Sequence, residues 1–109
     1  MPHAELKYSS DLDLDAEAIL AAVEQTIRSH DAGSGECKGR AYPADQFHHT
    51  HLILSVSMLT KPHRDKAFTD ALMRDIELTV KSKVAQSCFF SFALDYSTSA
   101  YVTNWHEGA

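Results

Sequence analysis

The sequence predicts an α/β (α+β) chain of order βαββαβ, a four-stranded sheet with two helices on one face. Three observations carry this: stretches of period-two alternation, two stretches with apolar residues three or four apart, and a near repeat of that order in two halves. With 109 residues, the chain suffices for a single domain over 1–109, its halves spanning about 1–46 and 47–95, with a tail over 96–109.

Pro2 to Tyr8 alternates, with Ala4, Leu6 and Tyr8 on one side and His3, Glu5 and Lys7 on the other, the period of a half-buried strand. Ile19, Leu20, Val23 and Ile27 then fall on one helical face. Asp15 is placed to cap that helix, and Leu14 to pack on Ile19. The helix is expected to stop before Gly33-Ser34-Gly35. A short strand over 37–42 follows, ended by Pro43-Ala44-Asp45.

In the second half, Leu52, Leu54, Val56 and Met58 alternate with His51, Ile53, Ser55 and Ser57 as a strand. Pro62 suits the first turn of a helix, along which Phe68, Leu72, Ile76 and Val80 recur every fourth residue. Lys66 with Asp70, Asp70 with Arg74 and Glu77 with Lys81 are expected ion pairs on its solvated side. Cys88 to Leu94 closes the order as a strand with Phe90, Phe92 and Leu94 facing inward. This order fits both a ferredoxin-like plait and a tautomerase-type subunit with an internal pseudo-twofold. In either, the face opposite the helices carries Ile53, Phe89 and Ala93, apolar enough to expect burial against another subunit.

A net charge of −5 disfavours nucleic acid and anionic membrane as partners. The uncharged run over 84–94 is too short to span a bilayer. Cys37 and Cys88 stand far apart without a CxxC pair, so two reduced thiols in a cytoplasmic protein are expected.

Pro2 is the residue with the most chemistry to offer. Once Met1 is removed, as is usual before a small second residue, its nitrogen is a secondary amine that can act as a base. An apolar pocket or nearby cations would bring its pKa toward working pH. Met1-Pro2-His3, the strand–helix–strand opening, Lys38-Gly39-Arg40-Ala41, Ser91-Phe92 and Asn104-x-His106 together resemble the 5-carboxymethyl-2-hydroxymuconate isomerase family of the tautomerase superfamily. The resemblance implies a homotrimer of βαββαβ subunits with sites near subunit boundaries. It also implies Pro2 as catalytic base, a small anionic, enolisable substrate and no cofactor. Lys38 and Arg40 stand where the family has Arg-x-Arg-Ala, as expected carboxylate and enolate binders. Lysine keeps the charge but not the planar fork. The connection from Tyr42 to Phe47 is shorter than in relatives.

Other features carry less. His48, His49 and His51 lack a carboxylate or cysteine at supporting spacing, so pocket lining or a surface cluster is preferred to a metal centre. Lys61, His63 and Arg64 stand before the second helix, where anions are attracted. Tyr101 and Trp105 read as anchors at a subunit contact. The alternatives to an enzyme are a non-catalytic oligomer of the tautomerase fold and a ferredoxin-like small-molecule binding protein.

Overall fold

The computed structural model describes residues 1–109. Four strands, β1 (His3–Ser9), β2 (Lys38–Ala44), β3 (His51–Leu59) and β4 (Phe89–Ser97), alternate with two helices, α1 (Ala16–His30) and α2 (Lys66–Lys81), in the expected order. The sheet order is β2-β1-β3-β4. β1 runs parallel to β2 and β3 to β4, while the central β1–β3 pair is antiparallel. Two parallel βαβ units therefore meet back to back, which is the pseudo-twofold. Its equivalence extends to single hydrogen bonds. The Pro2 carbonyl accepts from Lys38 N–H at 3.0 Å, and the Thr50 carbonyl accepts from Phe89 N–H at 3.1 Å.

Alternation decides which side chains are buried. Ala4 and Leu6 from β1, and Leu52, Leu54, Val56 and Met58 from β3, join Ile19, Val23 and Ile27 of α1 and Leu72, Ile76 and Val80 of α2 in one core. Burying each such side chain contributes roughly 1.5–3 kcal/mol. Asp15 Oδ1 caps α1 by accepting from Ala18 N–H at 3.1 Å, and Asp65 Oδ1 caps α2 by accepting from Phe68 N–H at 2.9 Å.

Four local expectations are corrected. Pro62 lies in the turn before α2, not in its first turn; the side-chain acceptor that starts the helix is Asp65. Pro43 does not end β2, which continues through Ala44, because β2 is an edge strand and can spare an N–H. Arg74 pairs with its neighbour Asp75 at 3.7 Å and not with Asp70, whose carboxylate is held by Lys66 at 2.7 Å. β4 extends past Leu94 to Ser97, carried by its pairing with the full length of β3.

The register also defines the open face of the sheet. One row across it reads Lys38, His3, Ser57, Asp95; the next reads Arg40, Glu5, Ser55, Ala93; the third reads Tyr42, Lys7, Ile53, Ser91. Ile53 and Phe89 are exposed there as expected, but β1 and β2 contribute mostly charged residues, so this face is apolar on one half only. No helix is long and apolar enough to cross a membrane.

Candidate functional site

The sequence-derived site residues lie at the start of β1 and on its neighbour β2. Pro2 is fully buried, and its nitrogen is the amide that follows Met1. Burial, then the charges of Arg64 and Lys61, lower the proton affinity of the neighbouring Met1 α-amino group below its ordinary 8.0, with Cys37 opposing. These two cations come from the turn before α2, beside which β1 begins.

Lys38 and Arg40 reach the same end from β2. The parallel register sets Lys38 beside His3 and Arg40 beside Glu5, all pointing to the open face. Between them, Gly39 points the other way, toward α1, where a Cβ would stand 3.0 Å from Leu20 Cδ2. The glycine thus lets α1 lie close on β2 while its neighbours present cations opposite. Neither cation is free: Lys38 Nζ lies 2.5 Å from Glu36 Oε2, and Arg40 Nε lies 3.3 Å from Glu5 Oε1. Glu36 raises the Lys38 pKa, which keeps that ammonium charged.

A cavity of about 290 Å³ opens on this face, with His3, Glu5, Arg40, Ser55, Ser57 and Asp95 among its walls. The structure therefore brings Arg40 into a polar cavity with His3, while the buried Pro2 ring lies outside its lining. Burial, then Arg40, lowers the His3 pKa below its usual 6.5, against an opposing contribution from Glu5. His3 is the residue that sequence reading passed over. It was visible as an outward residue of a strand and as part of the opening Met1-Pro2-His3, with no role attached, and its importance comes from neighbours 35 to 98 positions away.

Cys37 is half-buried behind β1, and burial, then Glu24, pushes its thiol up to about 11. It stays protonated at neutral pH and offers no thiolate nucleophile. Of the residues before α2, Arg64 and His63 are committed elsewhere. Arg64 donates through Nε and Nη2 to Asp31 Oδ2 at 3.0 and 2.8 Å, and His63 Nε2 reaches the same oxygen at 2.9 Å. Lys61 is the one of the three that Asp31 does not hold, and both it and Arg64 act on the chain terminus by charge.

The histidine cluster is organised by the backbone. His49 adopts a left-handed φ of 66°, its carbonyl accepts from His51 Nδ1 at 2.8 Å, and its ring lies against that of His48 with centroids 4.0 Å apart and planes tilted by 51°. His49 lines a separate cavity of about 360 Å³ with Thr50, Ser87, Cys88 and Phe89, at the pseudo-twofold mate of the Pro2 end. No group of three or more His, Cys, Asp or Glu side chains is arranged to hold a metal ion.

This architecture is the tautomerase fold, two βαβ units meeting about a pseudo-twofold with a proline at the head of the first strand. Solved structures that share it include a 5-carboxymethyl-2-hydroxymuconate delta-isomerase, with TM-score 0.79 and 20% identity over 97% of this chain and 89% of that one. A 5-carboxymethyl-2-hydroxymuconate isomerase from Deinococcus radiodurans R1 aligns with TM-score 0.71 and 16% identity, over 97% and 90% of the two chains. A fused 4-OT wild-type symmetric trimer aligns with TM-score 0.67 and 10% identity, over 85% and 84%. At these identities the likeness is one of fold. No protein-family model and no curated protein sequence matches the chain.

Proposed function

We propose that this protein is a cofactor-independent tautomerase that moves a proton within a small, enolisable, carboxylate-bearing substrate, using the Pro2 nitrogen as base after removal of Met1. The observation that carries this reading is the electrostatics of the terminus, where burial and the charges of Arg64 and Lys61 disfavour the protonated Met1 amine, one residue from the Pro2 nitrogen. The same cations favour the unprotonated form of a secondary amine at Pro2, the form that takes a proton. The muconate isomerases with the same fold support the class of reaction.

In this reading the amine removes a proton from the carbon next to a carbonyl and returns it to another carbon. Lys38 and Arg40 bind the carboxylate, which must displace Glu36 and Glu5 from them. Both pairs are exposed surface pairs, which water and salt weaken, so a substrate carboxylate competes readily. Oxaloacetate is a suitable probe, since its enol and keto forms differ in ultraviolet absorbance. Arg40→Gln is expected to raise KM for its tautomerisation roughly 10- to 100-fold, the worth of one charged hydrogen bond. An unchanged KM would remove Arg40 from the site.

The working assembly in this reading is a homotrimer, supported by the symmetric 4-OT trimer of the same fold and by the exposed Ile53 and Phe89 on the open sheet face. Light scattering on the Phe89→Arg variant is expected to give the monomer mass where the unaltered chain gives three times that mass. Both cysteines are free thiols, which supports a place in the reducing cytoplasm.

A further inference from the structure

The segment after β4 has no regular structure, yet it crosses back over the first residues of the chain. Tyr101 is half-buried there, and its hydroxyl donates to the Met1 carbonyl oxygen at 3.2 Å. His3 Nε2 lies 3.1 Å from the same hydroxyl oxygen, with the two rings edge to face at 6.4 Å. Tyrosine has one proton to give, and it goes to the carbonyl. The imidazole must then be the donor to the phenol oxygen, which fixes the proton on Nε2 and leaves Nδ1 bare. Nδ1 is buried and has no partner, so the ring's one hydrogen bond is the one to Tyr101. The result is two donors in series, His3 Nε2–H to Tyr101 Oη–H to a carbonyl oxygen, each polarising the next.

The acceptor at the end of this chain is informative. The Met1 carbonyl carbon is bonded to the Pro2 nitrogen, so its oxygen marks a position within reach of the amine that Met1 removal would free. A molecule that places an acidic C–H against that amine brings its own carbonyl into the same neighbourhood.

We propose that Tyr101 is a catalytic residue whose hydroxyl, held by His3, donates a hydrogen bond to the substrate carbonyl oxygen as it becomes an enolate, close to where the Met1 carbonyl oxygen lies in this structure. The proposal rests on the tautomerase reading and adds its electrophilic partner. No proton leaves the tyrosine: as Pro2 takes the proton from carbon, negative charge grows on the oxygen and strengthens the hydrogen bond it accepts. His3 is a positioning residue, because it orients the phenol without touching the substrate.

The test uses Met1-free protein and oxaloacetate. Tyr101→Phe is expected to lower kcat about 100-fold with KM little changed, the signature of an interaction made mainly in the transition state. His3→Leu is expected to lower kcat in the same direction. His3→Gln, whose amide can donate as Nε2–H does, is expected to recover part of that loss. In protein that retains Met1, imidazole nitrogen shifts of His3 are expected to report the Nε2–H tautomer; an Nδ1–H tautomer there overturns the relay without reference to turnover. A wild-type kcat in Tyr101→Phe, alongside its loss in Pro2→Ala, overturns the role of Tyr101 and leaves the tautomerase reading standing. A rate no greater than the uncatalysed one in the unaltered protein overturns both.

Discussion

Replacing Pro2 by alanine is expected to reduce kcat for oxaloacetate tautomerisation by roughly 10²- to 10⁴-fold, the usual worth of a positioned general base. Alanine is small enough for Met1 still to be removed, so the variant keeps a free amine at the same place in the chain. It loses the rigid ring that fixes the direction of the nitrogen lone pair, and it changes a secondary amine into a primary one. Because Pro2 is fully buried, the substitution also leaves a small void, so urea unfolding must accompany the kinetics. The pH profile gives the sign of the effect. The base works unprotonated, so kcat/KM rises with pH through the pKa of the amine. That midpoint is expected below that of an unperturbed proline amine, since the charges of Arg64 and Lys61, which lower the proton affinity of the adjoining Met1 amino group, act at the same end of the chain. Lys61→Gln removes one of those charges and is expected to move the midpoint upward. A profile unchanged by Lys61→Gln, or a Pro2→Ala variant at full rate, contradicts the assignment.

Asp31→Ala is expected to be the most destabilising single substitution, costing roughly 3–5 kcal/mol in urea unfolding, because it strands a buried guanidinium. The Arg64 side chain is only 2% exposed and that of Asp31 only 10%. Arg64 also donates through Nη1 to the Leu59 carbonyl at 2.6 Å, so it cannot swing out without breaking the end of β3. This pair ties the C-terminus of α1 to the turn before α2, and thereby holds the cations beside Pro2. Burial alone would raise the Asp31 pKa, but the hydrogen bonds and charges of His63 and Arg64 outweigh it and hold the carboxyl at about 2, against an ordinary 3.8. A depressed carboxyl pKa stabilises the fold above the unfolded value and loses that contribution as pH falls through the folded one. About 2 kcal/mol should therefore disappear between pH 3.8 and about 2. That acid sensitivity is expected to be absent in Asp31→Ala; its persistence there assigns it to other carboxylates.

The elements were legible in the sequence because two periods dominate it. The alternation of Leu52, Leu54, Val56 and Met58 and the four-residue spacing of Leu72, Ile76 and Val80 are statements about burial, and burial is what the fold satisfies. The boundaries near proline were less legible. Pro43 reads as a breaker unless β2 is known to be an edge, and edge position is a property of the whole sheet. The candidate site was legible where it is local, at Pro2 and at the Lys38–Arg40 spacing. It was not legible where it depends on distant pairing: Asp31 with Arg64, and His3 with Tyr101, join residues 33 and 98 positions apart. Tyr101 reads from sequence as an aromatic anchor, and only its hydroxyl's contact with the chain terminus gives it chemistry.

The account stands on the amine at Pro2, and that amine exists only if the chain begins there. Intact mass of the natively produced protein tests this most directly. The account predicts a mass short of the full 109-residue chain by one methionine residue, and a chain that reads Pro-His-Ala from its first position. A population that retains Met1 throughout would leave Pro2 an amide and contradict its role as base.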